Sequence, residues 1–203
     1  PGPVGYYLGE DGGPGDGPPT LGMHTFPLPF ARYQRLFREG ARLVCPLQRH
    51  VAAVDPRIKQ RSRLHWWLAE AEARRTESGA TALLLDGDGH VTETAGANFL
   101  LVQGGTVFSP PSTAILGGIS LQVVRELCQE LGIGFEERPL TVADCLGAAE
   151  AWLASTPYCL AGVRQIDGVC LPGAGGALLG RLLDAWGHMV GFAVRRQILA
   201  NPH

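Results

Sequence analysis

Lysine is almost missing from this chain. Lys59 is the only one in 203 residues, and every other basic position is arginine. Excess charge of one sign is missing too. The 17 basic and 19 acidic residues leave a formal charge of -2, so nothing electrostatic points to nucleic acid or an anionic membrane. No apolar run is long enough to span a bilayer. Cysteine is sparse: the residues at 45, 128, 145, 159 and 170 are odd in number, widely spaced and without a C-x-x-C pair. That argues against a disulfide framework and a zinc site, and it fits a reducing cytoplasm. The six histidines show no H-x-x-x-H or similar spacing, so no metal is expected. Nothing repeats at a fixed period, which excludes a solenoid. Neither an initiator methionine nor a signal-peptide pattern opens the sequence. Pro1-Gly2-Pro3 leads directly into strand-like residues 4–8, and the chain reads as the C-terminal portion of something longer.

What remains is a globular composition, 45% hydrophobic and 18% charged, long enough for a substantial core. Residues 9–22, around Gly12-Gly13-Pro14-Gly15-Asp16-Gly17-Pro18-Pro19, read as a flexible loop. Phe26-Pro27-Leu28-Pro29-Phe30 reads as extended chain crossing between lobes. A short helix is expected over 31–39, stopped by Gly40, and short strands over 41–45 and 49–54. Leu64, Trp67, Leu68 and Ala71 repeat at helical spacing over 64–78, with Gly79 just past the end. Trp66 and Trp67 are candidates for core or interface. Two hairpins follow, with Asp86-Gly87-Asp88-Gly89 and Gln103-Gly104-Gly105 at their tips. Leu121, Val124, Leu127, Cys128 and Leu131 mark one face of a helix ending at Gly132. Thr141 and Asp144 resemble a capping box opening a helix to about residue 149. A buried strand is expected over 151–154. Leu179, Leu182, Leu183, Trp186, Met189 and Val190 give the buried stripe of a last helix over 177–190.

The solitary lysine invites amine chemistry. Arginine serves as a surface cation, but only lysine can lose its proton and form an imine. For that it needs an apolar, partly buried site. Glu93 stands at a strand end. Gly117-Gly118-Ile119-Ser120 opens a helix, where backbone N–H groups and a hydroxyl suit a phosphate. Ser155-Thr156 closes another strand with two hydroxyls.

Taken together, Lys59, Glu93-Thr94-Ala95-Gly96-Ala97-Asn98, Ser109-Pro110, Leu116-Gly117-Gly118-Ile119-Ser120 and Ser155-Thr156 resemble the class IV (fold type IV) aminotransferases. That group includes branched-chain and D-amino-acid aminotransferases and aminodeoxychorismate lyase. The resemblance covers most of the chain from about Ala31 onward. It implies an α/β fold: a curved, barrel-like mixed sheet with flanking helices, forming the large C-terminal lobe. It further implies that residues 1–30 end a small N-terminal domain and its linker, and that 31–203 form the domain binding pyridoxal 5'-phosphate. In that frame Lys59 is the catalytic Schiff-base residue, and Glu93, Leu116, Ile119, Ser120 and Thr156 bind the cofactor with it. The implied activity moves an amino group between an amino acid and a 2-oxo acid, in a homodimer. Pyruvate elimination, as in aminodeoxychorismate lyase, is the rival, to which Arg63-Leu64 after Lys59 also points. A non-catalytic relative or fragment is the third reading. The chain departs from the family pattern at Leu121, where an arginine is usual, and at Leu64, where the branched-chain branch has tyrosine. The N-terminal lobe, which normally supplies a phosphate-binding arginine and much of the substrate pocket, is largely outside this sequence.

Overall fold

The computed structural model describes residues 22–48, 55–60, 63–173 and 175–200. The strands expected over 4–8 and 49–54, and nearly all of the glycine-proline loop, lie outside the described residues.

Helix α1 (Phe30–Glu39) follows an exposed stretch, 22–29, without regular structure. It ends at Gly40, whose φ of 76° suits a residue lacking Cβ. Strand β1 (Ala41–Val44), α2 (Leu64–Thr76), β2 (Thr81–Leu85), β3 (Val91–Thr94), β4 (Asn98–Gln103) and β5 (Thr106–Ser109) come next. Then follow α3 (Ile119–Glu130), β6 (Phe135–Glu137), α4 (Val142–Leu146), β7 (Glu150–Ser155), β8 (Cys159–Ile166) and β9 (Val169–Cys170). Two helices, α5 (Ala177–Val190) and α6 (Val194–Ala200), end the described chain.

The strands make one mixed sheet in the order β3-β2-β1-β8-β7-β4-β5-β6, with β9 beside β8. It closes on itself. The edge of β4 that carries β5 at Leu101, Val102 and Gln103 meets β3 at its other end, through the pair Glu93↔Asn98. Six strands, β3-β2-β1-β8-β7-β4, thereby form a closed barrel of mixed direction. This is the expected α/β architecture.

Side-chain alternation sorts the core. Leu43, Leu83, Leu85, Phe99, Leu101, Ala151, Leu153 and Val163 pack in one cluster inside the sheet. Their neighbours Leu100, Val102, Trp152, Ala154 and Leu160 face the other way, under α3 and α5. A third cluster joins Val44, Ala82 and Leu84 to Trp66, Ala69 and Ala73 of α2. Both faces of these strands are therefore apolar, which is why they read as near-continuous hydrophobic runs.

The helices differ from expectation in which side they bury. In α2 the large residues at helical spacing point outward: Leu64 is 66% exposed, Trp67 67% and Leu68 42%. Trp66, Ala69 and Ala73 face the sheet instead. Small alanines let the helix approach the strands closely, so packing distance selects the face and residue size does not. In α5, Leu179, Leu182, Leu183 and Trp186 are buried as expected, but Met189 and Val190 are not. Gly187 takes the inner position there: a Cβ on it would lie 3.1 Å from the Phe192 carbonyl oxygen, where the chain folds back into α6. Helix α4 ends at Leu146, earlier than expected, and its Thr141–Asp144 capping box is present.

Ala73 is fully buried, so Ala73→Leu has no space to fill. Urea unfolding should show a loss of about 1–3 kcal/mol from overpacking.

Candidate active site

The barrel closes at a tight turn, and Glu93, Asn98 and Ser155 gather around it. Glu93 and Asn98 face each other across β3 and β4. The four residues between them, Thr94 to Ala97, are folded back by the bonds of Thr94. Its N–H and hydroxyl donate to the Ala97 carbonyl at 3.0 Å, and its oxygen accepts the Ala97 N–H at 3.0 Å. This turn sets the five-residue spacing between acid and amide.

The Glu93 carboxylate is buried, at 8% exposure, and held from two sides. Asn98 Nδ2 donates to Oε2 at 3.0 Å, and the Leu116 N–H donates to Oε1 at 3.2 Å. Asn98 Nδ2 also donates to the Leu116 carbonyl at 2.8 Å. Carboxylate, amide and the Leu116 peptide thus brace one another. Burial still dominates the acidity. It raises the Glu93 pKa to about 7, against the Leu116 N–H and the charge of Arg63, which both favour the anion.

Leu116 leads into α3, whose N-cap is Gly118. A Cβ on Gly118 would stand 2.1 Å from Asn98 Oδ1, whereas one on Gly117 would meet nothing within 4 Å. The close approach that glycine permits therefore occurs at Gly118, against Asn98. Among the described residues no side chain caps α3, so its first N–H groups have no described side-chain acceptor at the N-cap. Ser120, in the first turn, is buried at 4%, while the side chain of Ile119 is 73% exposed.

On the other side of the turn, Ser155 Oγ donates to the Gly96 carbonyl at 2.7 Å. This ties the end of β7 to the β3–β4 turn, and Thr156 follows it, exposed. Arg63, at the start of α2, donates to the Ala95 carbonyl and stacks on Trp66, 5.9 Å from its centroid.

Lys59 makes none of these contacts. It is exposed, not partly buried as the amine chemistry asked, on a segment shaped locally by the Asp55–Arg57 ion pair at 2.6 Å. The structure thus brings Glu93, Asn98, Leu116, Gly118 and Ser155 together, with Ser120 near the start of α3, and leaves Lys59 and Thr156 at the surface. Sequence reasoning gave Asn98 and Arg63 no role in the site. The signal for Asn98 was present, since it ends the quoted motif; its role as a brace becomes visible only once the barrel closes.

A family model described as "Amino-transferase class IV" matches residues 6–166. A Methanocaldococcus jannaschii protein provisionally described as a branched-chain-amino-acid aminotransferase is 33% identical over 155 residues, 75% of this chain and 52% of that protein. Among solved structures, the Escherichia coli branched-chain amino acid aminotransferase superposes with a TM-score of 0.71 at 25% identity, over 78% of this chain and 53% of its own. A structure from Legionella pneumophila, provisionally titled a 4-amino-4-deoxychorismate lyase, shares the fold with a TM-score of 0.67 at 22% identity, over 73% of this chain and 55% of its own. The chain spans about half the length of these relatives.

Gly118→Ala should push Asn98 off its two acceptors. The expected cost is about 1–3 kcal/mol, the penalty for leaving buried polar groups unpaired. Thermal or urea unfolding measures it, and Gly117→Ala, with open space around it, serves as the control.

Proposed function

The chain belongs to the class IV aminotransferases, and from that premise we propose that it is the cofactor-binding large domain of an enzyme moving an amino group between an amino acid and a 2-oxo acid. In this reading residues 1–30 end a smaller domain and its linker, and 31–203 form the large domain. The observation that carries the reading is the braced, buried carboxylate of Glu93 at the mouth of a closed barrel. Burial raises its pKa despite the charge of Arg63, no described basic group forms an ion pair with it, and a protonated ring nitrogen fits beside it. The buried Ser120 hydroxyl and the start of α3, with no side-chain cap, suit a phosphate. The residues present therefore fit pyridoxal 5'-phosphate, the cofactor of this family.

When bound, pyridoxal phosphate supplies an aldehyde that condenses with amines and a protonated ring that draws electrons from the substrate's α-carbon. Glu93 would keep the proton on the ring nitrogen. Asn98 and the Leu116 N–H orient that carboxylate, and the Leu116 side chain would contact the ring. The Ile119 and Ser120 N–H groups and the Ser120 and Thr156 hydroxyls would hold the phosphate. Lys59 would supply the amine that anchors the cofactor, and its Nζ would move the proton at the substrate's α-carbon. The position of Arg63 supports this role. Four residues of chain reach at most about 14 Å, so the Arg63–Ala95 bond tethers the Lys59 segment near the same turn.

A homodimer belongs to this reading. The exposed apolar face of α2, with Leu64, Trp67 and Leu68, is where we place the partner. The free cysteines support a reducing cytoplasm. Among the described residues no helix is long and apolar enough to cross a membrane.

Added pyridoxal phosphate should give wild-type protein a visible absorbance band that Lys59→Ala lacks and that an amino-acid donor bleaches. No band in either protein refutes the assignment. Pyruvate release without any oxo-acid acceptor would assign the lyase reaction instead.

A further inference from the structure

The connection from β7 to β8 is held in an unusual shape. The Tyr158 N–H donates to the Ser155 carbonyl at 3.2 Å, which closes a turn with Thr156 and Pro157 at its corner. Cys159, opposite Ser155 in the ladder, has a φ of 63°. Left-handed backbone is unfavourable for a residue with a Cβ, so the surroundings must hold it there. They do so from outside the barrel. Tyr33 of α1 forms a buried cluster with Val194 and Ile198 of α6, and Tyr158 and Cys159 pack against it, partly buried. The Tyr33 and Tyr158 rings lie 5.6 Å apart, tilted by 54°.

The other end of Tyr158 is polar. Its hydroxyl is hydrogen-bonded to the Ser155 side chain. The Ser155 hydroxyl has one proton, and the Gly96 carbonyl receives it at 2.7 Å. Ser155 Oγ can therefore only accept from Tyr158, and the phenol must be the donor. Burial keeps it one. It pushes the phenol up to about 12, against the Ser155 bond and the charge of Arg32, with Tyr33 adding to the rise. The proton order is thus fixed along a short chain, from the Tyr158 O–H to Ser155 Oγ and from the Ser155 O–H to the Gly96 carbonyl. Bonds in such a chain polarise and strengthen one another. Gly96 lies in the turn that joins Glu93 to Asn98. Three segments distant in sequence, α1, the β7–β8 turn and the β3–β4 turn, are linked in this way.

We propose that Tyr158 is a positioning residue for the Glu93 carboxylate: its hydroxyl orients Ser155, which holds the β3–β4 turn at Gly96 and keeps the barrel closed around the acid. The inference rests on the aminotransferase reading for its meaning in catalysis, and on the geometry alone for its effect on Glu93. Tyr158 acts through Ser155, while Glu93 itself is held by Asn98 and Leu116. Without the phenol proton, Ser155 Oγ keeps an unfilled acceptor and turns toward water instead of Gly96. The turn then loosens, water reaches the carboxylate, and part of the burial that disfavours its anion is lost.

The test compares the full chain with Tyr158→Phe, Ser155→Ala, Ser155→Thr and the Tyr158→Phe/Ser155→Ala double variant. Phenylalanine keeps the ring against Tyr33 and removes only the hydroxyl. Arg63, whose charge acts on Glu93, is unchanged in every variant. The Glu93 carboxyl carbon is titrated by NMR without cofactor, and pyridoxal phosphate affinity is measured separately by absorbance. Tyr158→Phe should lower the Glu93 midpoint toward the ordinary carboxylate value and weaken cofactor binding about two- to tenfold, the range that one hydrogen bond covers. Ser155→Ala should do the same, and Ser155→Thr, which keeps a hydroxyl, should retain most of both. The double variant should be no worse than Ser155→Ala alone. An unmoved Glu93 midpoint in Tyr158→Phe overturns the proposal. Fully additive losses in the double variant overturn it too, because Tyr158 would then act by packing and not through Ser155. If wild type shows no cofactor band while the midpoint still shifts in Tyr158→Phe, the positioning role stands and the aminotransferase reading falls.

Discussion

A single cross-strand pair, Glu93 opposite Asn98, closes the barrel, and the rest of this end of the molecule is arranged around it. Burying a carboxylate is costly unless its oxygens are satisfied. Here one oxygen takes the Asn98 amide and the other takes the Leu116 N–H. Those two donors fix where the loop before α3 must run, and so where α3 begins. The same amide excludes any side chain at Gly118. Helix start, strand end and acid are therefore positioned by one small hydrogen-bonded ring.

The barrel serves that ring by dividing the labour of β4. Its central residues Phe99 and Leu101 fill the interior, Leu100 and Val102 support the outer helices, and its first residue, Asn98, belongs to the site. A packed interior of large, fully buried side chains resists displacement, so the ring inherits its rigidity from the core below it. The two loops that adjoin the site are fastened to the same turn from outside, β7 by Ser155 to Gly96 and the start of α2 by Arg63 to Ala95. Functional loops held by a rigid scaffold are the usual division between binding and stability.

Much of this was legible in the sequence. Glycines at hairpin tips marked the strand pairs, and the grouping of Glu93, Leu116 and Ser120 at one end was implied by the resemblance to the class IV aminotransferases. The face of α2 was not legible: Leu64, Trp67 and Leu68 are larger than Ala69 and Ala73, yet the smaller residues face the sheet because they allow close approach. Nor was the bracing role of Asn98, which needs the three-dimensional closure of β3 on β4. Periodicity reports which residues share a face but not what the tertiary structure sets against that face.

The central claim is that Glu93 is kept ready for a positively charged ring nitrogen. Its carboxyl carbon can be followed by NMR across a pH titration, first without and then with pyridoxal phosphate. Without cofactor the midpoint should lie near 7, because burial disfavours the anion. With cofactor it should fall by more than a unit, since a cation beside the carboxylate favours its charged form. A midpoint that does not move on adding cofactor, or one already at the ordinary carboxylate value without it, would contradict the account.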